Sequence, residues 1–177
     1  MKKLFILCAL LIFSNSSFSQ NKTLETSGDV LLITMPIVAV GTTLIIGDKK
    51  GTLQFAKGFL LSQVVTLSLK AVIEKDRPNM ENRDAFPSGH TSTTFQSASF
   101  IQKRYGWKYG IPAYLLAGIT GYSRIDSDHH DFSDVLAGAI IGVGSSYLLT
   151  TPYQQEHMEL TFNSGNGNYL LGFKFKF

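Results

Sequence analysis

The sequences KAVIEKDRP (residues 70–78), PSGH (residues 87–90) and SRIDSDHHDFSD (residues 123–134) form three polar clusters. Apolar or amphipathic segments separate them, and each cluster falls where a helix is predicted to end or begin. Together they supply fixed cations, imidazoles, a small hydroxyl, a glycine and a carboxylate. This combination is typical of a site that binds a phosphate-like anion next to acid and base groups.

The first cluster places two cations near the end of a predicted helix. Lys70 and Arg77 lie roughly two helical turns apart, about 10 Å along the axis, and Pro78 ends the helix. Arginine offers a planar fork for phosphate oxygens, and lysine a mobile point charge. Cations at a helix C-terminus also complement the helix dipole or reach a membrane surface. We assign Lys75 and Arg83 to that second role.

The second cluster is predicted to open the next helix. A helix N-terminus presents unpaired N–H groups to an anion. Ser88 is a natural N-cap whose hydroxyl can alternatively face a phosphate oxygen. Gly89 permits a close approach of backbone to ligand, and His90 suits proton transfer near neutral pH. Taken alone, the tetrapeptide fits a capped helix start with an exposed histidine equally well.

The third cluster favours catalysis over simple binding. His130 and Asp134 are four residues apart, so the carboxylate can accept a hydrogen bond from one ring nitrogen and leave the other aimed at a substrate. The competing histidine, His129, has Ser133 at that spacing instead of a carboxylate. A metal site is disfavoured despite the density of Asp and His, because the nearby cations oppose a dication.

The order and spacing of the clusters resemble the three-part signature of the type 2 phosphatidic acid phosphatase superfamily, which also includes bacterial acid phosphatases and vanadium haloperoxidases. The resemblance covers residues 70 to about 149. It implies an all-α helical bundle with a site at one end of four helices and no metal or other cofactor. The matching positions are Lys70, Arg77, Pro78, Pro87, Ser88, Gly89, His90, Ser123, Arg124, His130 and Asp134.

The resemblance also implies a role for each residue of the site. His130 would be the nucleophile that forms a phosphohistidine, and Asp134 would orient it. His90 would protonate the leaving oxygen and then help to activate water. The phosphoryl oxygens would be bound by Lys70, Arg77, Arg124, Ser88 and the amide of Gly89.

The chain outside the clusters is predicted to have three parts. Residues 1–19 resemble an export signal, with Lys2 and Lys3 before an apolar stretch that contains the only cysteine, Cys8; an uncleaved first membrane helix is the alternative. Residues 20–152 form the helical phosphatase domain, and residues 153–177 a small β-hairpin tail.

Helix bounds follow from apolar runs and breaker residues. Residues 20–28 are predicted to be a linker, and Gly47–Gly51 and Gly106–Gly110 to be turns. The predicted helices are Asp29–Ile46, Thr52–Ile73, His90–Tyr105, Ile111–Tyr122 and Asp134–Leu149.

Composition favours a membrane protein, or a compact helical protein with buried faces. The sequence is 44% hydrophobic and 16% charged, and soluble domains usually have roughly 25% charged residues. The net charge of +3 is too small to indicate nucleic-acid binding. We expect an inner-membrane protein whose site faces the periplasm, with a soluble periplasmic or an outer-membrane-associated form as alternatives.

The predicted function is hydrolysis of a phosphomonoester or pyrophosphate, lipid-linked or small. A vanadate-dependent haloperoxidase is one alternative, although so short a chain offers few elements for an oxidative pocket. A non-catalytic anion- or lipid-binding membrane protein is another. The presence of His90, His130 and Asp134 counts against it, because binding alone needs only the cations.

Overall fold

The described part of the chain forms a bundle of five helices followed by a pair of strands. The structure is a computed structural model that describes residues 21–154, 158–165 and 168–175. The predicted export signal lies outside these residues. The elements, numbered here in chain order, are α1 Lys22–Ile45, α2 Lys49–Val72, α3 Gly89–Tyr105, α4 Trp107–Asp126, α5 Phe132–Leu149, β1 Met158–Gly165 and β2 Asn168–Phe175.

The all-α helical class predicted from the sequence is confirmed. The two strands pair antiparallel, with Met158 opposite Phe175 and Gly165 opposite Asn168. The division of the chain at residues 19/20 and 152/153 stays a prediction.

Several predicted boundaries were wrong. The predicted turn Gly47–Gly51 is shorter, because α2 begins at Lys49. This helix ends at Val72, so Arg77 lies in the following loop and not two helical turns beyond Lys70 on one helix.

The largest differences are at the starts of α1 and α4. Residues 20–28 are not a linker, because the side chain of Asn21 accepts hydrogen bonds from the amides of Thr23 and Leu24 and α1 starts at Lys22. The predicted turn Gly106–Gly110 is a single residue: Gly106 has a φ of 92°, and α4 begins directly after it. A side-chain cap therefore extends α1 beyond its apolar run, whereas α4 starts after Gly106 without a side-chain cap.

The central helix of the bundle is α3, which packs against each of the other four helices. Its buried side chains are mostly hydroxyls and amides. Many of the hydroxyls bond the helix's own carbonyls, as Thr94 does to His90 O (3.0 Å) and Ser97 to Thr93 O (3.0 Å). Small side chains satisfied in this way let neighbouring helices approach closely.

The closest approach is between α3 and α5. A Cβ added at Gly138 would lie 2.5 Å from the carbonyl oxygen of Ser88, and one added at Gly142 would lie 2.3 Å from that of Ser92. Only hydrogen fits at these two positions, which are four residues apart on one face of α5. The glycine pair therefore sets the distance between the two helices.

A buried ion pair closes the bundle at the end where α1 turns into α2. Asp48 accepts hydrogen bonds from Arg104 Nη2 (2.6 Å), Arg104 Nε (2.7 Å), the Tyr105 hydroxyl (2.9 Å) and the Gly51 amide (2.8 Å). Burial alone would raise the pKa of Asp48, but the hydrogen bonds from Arg104, Gly51 and Tyr105 hold it below its ordinary value. The cluster fixes the α1–α2 turn to the end of α3.

The distribution of polar and apolar side chains is inverted relative to that of a soluble protein. Helices α1, α2 and α5 are long and apolar enough to cross a membrane, judged by length and composition. Their outward faces expose large apolar side chains such as Ile37, Leu60 and Ile140, while hydroxyl groups fill much of the interior. This distribution identifies a membrane protein.

Candidate active site

The three polar clusters meet at the end of the bundle opposite the Asp48–Arg104 pair. Lys70 and Arg124 come from the last turns of α2 and α4, and the starts of α3 and α5 face them. The amide of Ser88 donates to the carbonyl of Asp134 (3.0 Å). The amide of His130 donates to the carbonyl of Arg124 (3.1 Å). Helix ends from distant parts of the sequence thus build one site.

His130 is buried and held by a backbone carbonyl. Its Nδ1 lies 2.7 Å from Ala85 O. A carbonyl oxygen only accepts, so Nδ1 carries the proton and the lone pair of the neutral ring is on Nε2. Asp134 was expected to accept this hydrogen bond, but its Oδ2 lies 3.8 Å from Nδ1. The carboxylate is a close neighbour of the ring, and the orienting acceptor is the carbonyl of Ala85.

The surroundings of His130 keep its ring neutral. Burial is the main cause, and the positive charges of Lys70 and Arg77 add to it. Together they lower the pKa of His130 to about 3, although the bond to Ala85 acts in the opposite direction. A neutral imidazole beside cations is a nucleophile that needs no prior deprotonation at neutral pH.

Asp134 is fully buried and has other partners. Its Oδ2 accepts from the Asp131 amide (3.1 Å), while the Asp131 side chain accepts from the Asp134 amide (3.1 Å), which forms a capping box at the start of α5. Lys75 Nζ lies 2.7 Å from Asp134 Oδ1 and 2.5 Å from Asp131 Oδ2. Assigning Lys75 to a dipole or surface role was therefore wrong.

Two of the predicted phosphate-binding cations, Lys70 and Arg77, are paired with oxygen atoms of the loop between α2 and α3. Lys70 Nζ donates to the carbonyl of Asp84. Arg77 Nε lies 3.0 Å from Asp84 Oδ1, and its Nη1 lies 3.8 Å from Glu81. Arg83, by contrast, pairs with Glu74 and Asp76 at the surface; its assignment to a surface role agrees with this position.

The start of α3 is capped as expected. Ser88 is fully buried, and its hydroxyl oxygen accepts from the Thr91 hydroxyl (2.9 Å) and, more weakly, from the Thr91 amide (3.4 Å). A Cβ added at Gly89 would lie 3.9 Å from Cε of Lys70. The α3 N-terminus therefore faces the lysine of the first cluster.

His90 and Arg124 share one carboxylate from α1. Asp29 Oδ1 lies 3.0 Å from His90 Nε2 and 2.9 Å from Arg124 Nη1. The carbonyl of Glu25 accepts from Arg124 Nη2 (2.7 Å). Burial and then the charge of Arg124 lower the pKa of His90, against the pull of Asp29.

Four site residues were missed from the sequence: Glu25, Asp29, Lys75 and Ala85. Ala85 acts through its backbone, which leaves no sequence signal. Asp29 stands at the edge of an apolar run, where a carboxylate is usually read as a helix boundary.

His129 occupies a different environment from His130. Its Nδ1 lies 3.0 Å from the carbonyl and the hydroxyl of Ser127. Its Nε2 lies 3.7 Å from Glu25 and 3.9 Å from Glu81. Two carboxylates therefore lie near Nε2 of His129, whereas the charges of Lys70 and Arg77 act on His130.

Comparisons with known proteins identify the class. Residues 51–158 match the family profile of the PAP2 superfamily. The chain is 31% identical over 195 residues to the lipid A 4'-phosphatase of Helicobacter pylori, an alignment that covers 99% of this chain and 98% of that protein. It is 40% identical over 70 residues to the lipid A 1-phosphatase of Porphyromonas gingivalis, covering 38% of this chain and 16% of that protein.

Two solved structures share the fold. The LpxE of Aquifex aeolicus superposes with a TM-score of 0.57 at 23% identity, covering 78% of this chain and 92% of that one. A transmembrane PAP2-type phosphatidylglycerolphosphate phosphatase from Bacillus subtilis gives a TM-score of 0.52 at 21% identity, covering 82% and 90%. The chain belongs to the PAP2 superfamily, as the three clusters predicted.

Proposed function

We propose that this phosphatase removes a phosphate group from a lipid-linked phosphomonoester or pyrophosphate through a phosphohistidine on His130, without a metal ion. The observation that carries the proposal is the neutral, buried imidazole of His130. Ala85 fixes the tautomer of this ring (Nδ1 to O, 2.7 Å), and the charges of Lys70 and Arg77 act on it. This is the arrangement that nucleophilic attack on an anionic phosphorus centre requires.

The first half-reaction transfers the phosphoryl group to the enzyme. His130 Nε2 attacks phosphorus and forms a P–N bond while the P–O bond to the leaving group breaks. Protonated His90 gives its proton to the leaving oxygen. Burial and then the charge of Arg124 lower the pKa of His90, and the negative charge of a bound phosphate acts in the opposite direction.

The second half-reaction releases phosphate. Water attacks the phosphohistidine, neutral His90 takes one proton from that water, and the P–N bond electrons return to Nε2 of His130. The net change is ester plus water to alcohol plus phosphate. Charge on the phosphoryl oxygens is balanced by Lys70, Arg77, Arg124 and the α3 N-terminus at Ser88 and Gly89.

Asp134 acts on this reaction as a buried charge near the nucleophile. Its Oδ2 lies 3.8 Å from Nδ1 of His130. A carboxylate at that distance stabilises the positive charge that the ring gains as the P–N bond forms. Lys75 and the Asp131 amide hold the carboxylate in place (2.7 and 3.1 Å).

Lipid-linked substrates are supported by two apolar grooves along α1, the larger of which lies toward the Asp48–Arg104 end of the bundle. A groove of about 490 Å³ between α1 and α4 is lined mainly by aliphatic and aromatic side chains, among them Leu31, Met35 and Leu116. A second groove, which shares Leu31 and Leu116, continues from there to Lys22 and Thr23 at the start of α1. An acyl chain lying along α1 would leave its phosphate at the end of the bundle that holds the site.

The relatives favour the same substrate class, since those named above include a lipid A 4'-phosphatase and a lipid A 1-phosphatase. We further propose an inner-membrane location with the site facing the periplasm. This orientation is supported by the basic and apolar pattern of residues 1–19.

The test compares two adjacent histidines. We expect His130→Ala to lower hydrolysis of a long-chain phosphatidic acid in detergent micelles by at least about a thousandfold, because the nucleophile is lost. His129→Ala should retain most of the activity. Wild-type protein given ³²P-labelled substrate and stopped with alkali should carry a label that His130→Ala lacks.

Three results would contradict the proposal. They are undiminished turnover by folded His130→Ala protein, an alkali-stable label that persists in that variant, and loss of wild-type activity in EDTA that added divalent metal restores. Thermal unfolding of each variant in the same detergent serves as the folding control.

A further inference from the structure

The first helix forms one wall of the active site. A Cβ added at Gly28 would lie 2.1 Å from Ser123 Oγ and 2.9 Å from Arg124 Nη2, so α1 packs directly on the end of α4. The carbonyl of Glu25 accepts from Arg124 Nη2 (2.7 Å). Glu25 and Gly28 precede residues 51–158, the part of the chain that the family profile matches. The wall is therefore a feature of this chain outside the matched region.

Asp29 is a residue of this wall whose side chain contacts His90 and Arg124. One of its oxygens, Oδ1, lies 3.0 Å from His90 Nε2 and 2.9 Å from Arg124 Nη1. An ionised carboxylate only accepts, so the His90 proton in this contact is on Nε2. While the contact holds, Nδ1 is the ring nitrogen left for exchanging a proton with a substrate.

We propose that Asp29 is a positioning residue: it fixes the ring of the general acid His90 and the guanidinium of Arg124 in one arrangement. The proposal rests on the proposed function, since it assigns a partner to the acid of that reaction. A carboxylate that accepts from an imidazole favours the protonated ring, which is the form that protonates a leaving oxygen. Asp29 thereby couples the proton donor to a phosphate-binding cation.

A competing interpretation makes Asp29 an occupant of the phosphate position. Its side chain is 52% exposed, whereas that of Arg124 is 3% exposed. A carboxylate on the solvent side of a guanidinium could be displaced by substrate. Kinetics separate the two, because removing a competing anion lowers KM, whereas removing a positioning residue lowers kcat.

The test uses leaving groups that differ in their need for a proton. An alkyl phosphate requires protonation of its leaving oxygen, whereas p-nitrophenyl phosphate releases an anion that is stable near neutral pH. We expect Asp29→Asn to lower kcat for the alkyl phosphate by about 10- to 100-fold and for p-nitrophenyl phosphate far less. His90→Ala should show the same selectivity more strongly, and Asp29→Glu should restore part of the loss.

The pH profile gives a second readout. The charged or titratable groups facing His90 are Asp29 from α1, Arg124 from α4, and His129 and His130 from the following loop. Of these, Asp29 alone favours the protonated ring. The alkaline limb of kcat for the alkyl phosphate should therefore move to lower pH in Asp29→Asn.

Asp126→Asn is the matched control. Asp126 also ties α1 to α4, since its Oδ2 accepts from the Asn21 amide (3.1 Å). A variant that only loosens α1 should lower kcat for both substrates by the same factor. It should not shift the alkaline limb of the pH profile of kcat.

The inference fails if Asp29→Asn behaves like Asp126→Asn or like wild type while His90→Ala remains selective between leaving groups. It also fails if Asp29→Asn lowers KM with kcat unchanged. If His130→Ala instead hydrolyses both substrates, the proposed function fails, and that result is distinguishable from the first two.

Discussion

Asp134 is a buried carboxylate next to His130, the proposed nucleophile. Its side chain is fully buried, and its neighbours are Lys75 (2.7 Å) and the ring of His130 (3.8 Å). Because His130 is neutral, the compensating charge comes from Lys75. A partly buried lysine is thus part of the active site through the carboxylate it neutralises.

We expect Lys75→Met to destabilise the protein by about 2 kcal/mol, because it leaves the Asp134 carboxylate buried without its cation. This is less than for a fully buried pair, since Lys75 is itself partly exposed and screened by solvent. Phosphatase activity should fall as well. Thermal unfolding in detergent, followed by the fluorescence of Trp107, measures the loss.

Arg83→Met is the control for a removed ion pair. Arg83 pairs with Glu74 and Asp76, and all three side chains are exposed, so the expected cost is below about 1 kcal/mol. Equal destabilisation by the two substitutions would show that Lys75 contributes no more than a surface charge.

At the scale of elements, the contact between α3 and α5 sets the geometry of the site. Gly138 faces the carbonyl oxygen of Ser88. Ser88 is the N-cap residue of α3, the helix that carries His90. Asp134 lies one turn before Gly138 on α5. A change in the spacing of the two helices therefore moves the proton donor relative to the nucleophile.

We expect Gly138→Ala to separate α3 from α5 and to lower activity more than tenfold. The added methyl group would meet backbone 2.5 Å away, and overpacking of this kind costs roughly 1–3 kcal/mol. Turnover of the alkyl phosphate and thermal unfolding in detergent are the measurements.

Gly144→Ala is the matched substitution on the same helix. Apart from its chain neighbours and the adjacent backbone of α5, no atom of the described structure lies within 4 Å of a Cβ at that position. Alanine favours a helix over glycine by roughly 0.5–1 kcal/mol. We expect unchanged activity and equal or higher stability. Similar losses at Gly138 and Gly144 would contradict the packing argument.

At the scale of the whole molecule, the inverted distribution of side chains predicts integral membrane association. Among the described residues, three helices are apolar enough to span a bilayer, and their exposed faces are rich in aliphatic side chains. We expect the protein to remain in the membrane pellet after a carbonate wash and to enter solution with detergent. Release by carbonate alone would show that these faces do not contact lipid.

Much of the fold and site was predictable from local patterns. Apolar runs predicted α1, α2, α4 and α5, and amphipathic spacing predicted α3. The helix ends at Lys70, Ser88 and Arg124 brought the clusters together. The wall formed by α1 was not predictable, because it depends on a tertiary contact at Gly28 that has no local signature. The partner of His130 was missed because the spacing to Asp134 suggested a hydrogen bond, while the loop brings the carbonyl of Ala85 closer.

The hydroxyl-rich surface of α3 has a consequence for biosynthesis. Of the described helices, α1, α2 and α5 are apolar enough to leave the translocation channel for lipid unaided, and α3 is not among them. We therefore expect α3 to insert stably only when the neighbouring helices that cover its polar surface are present. Nascent chains that stop before α5 should therefore be recognised by quality-control proteases as unassembled.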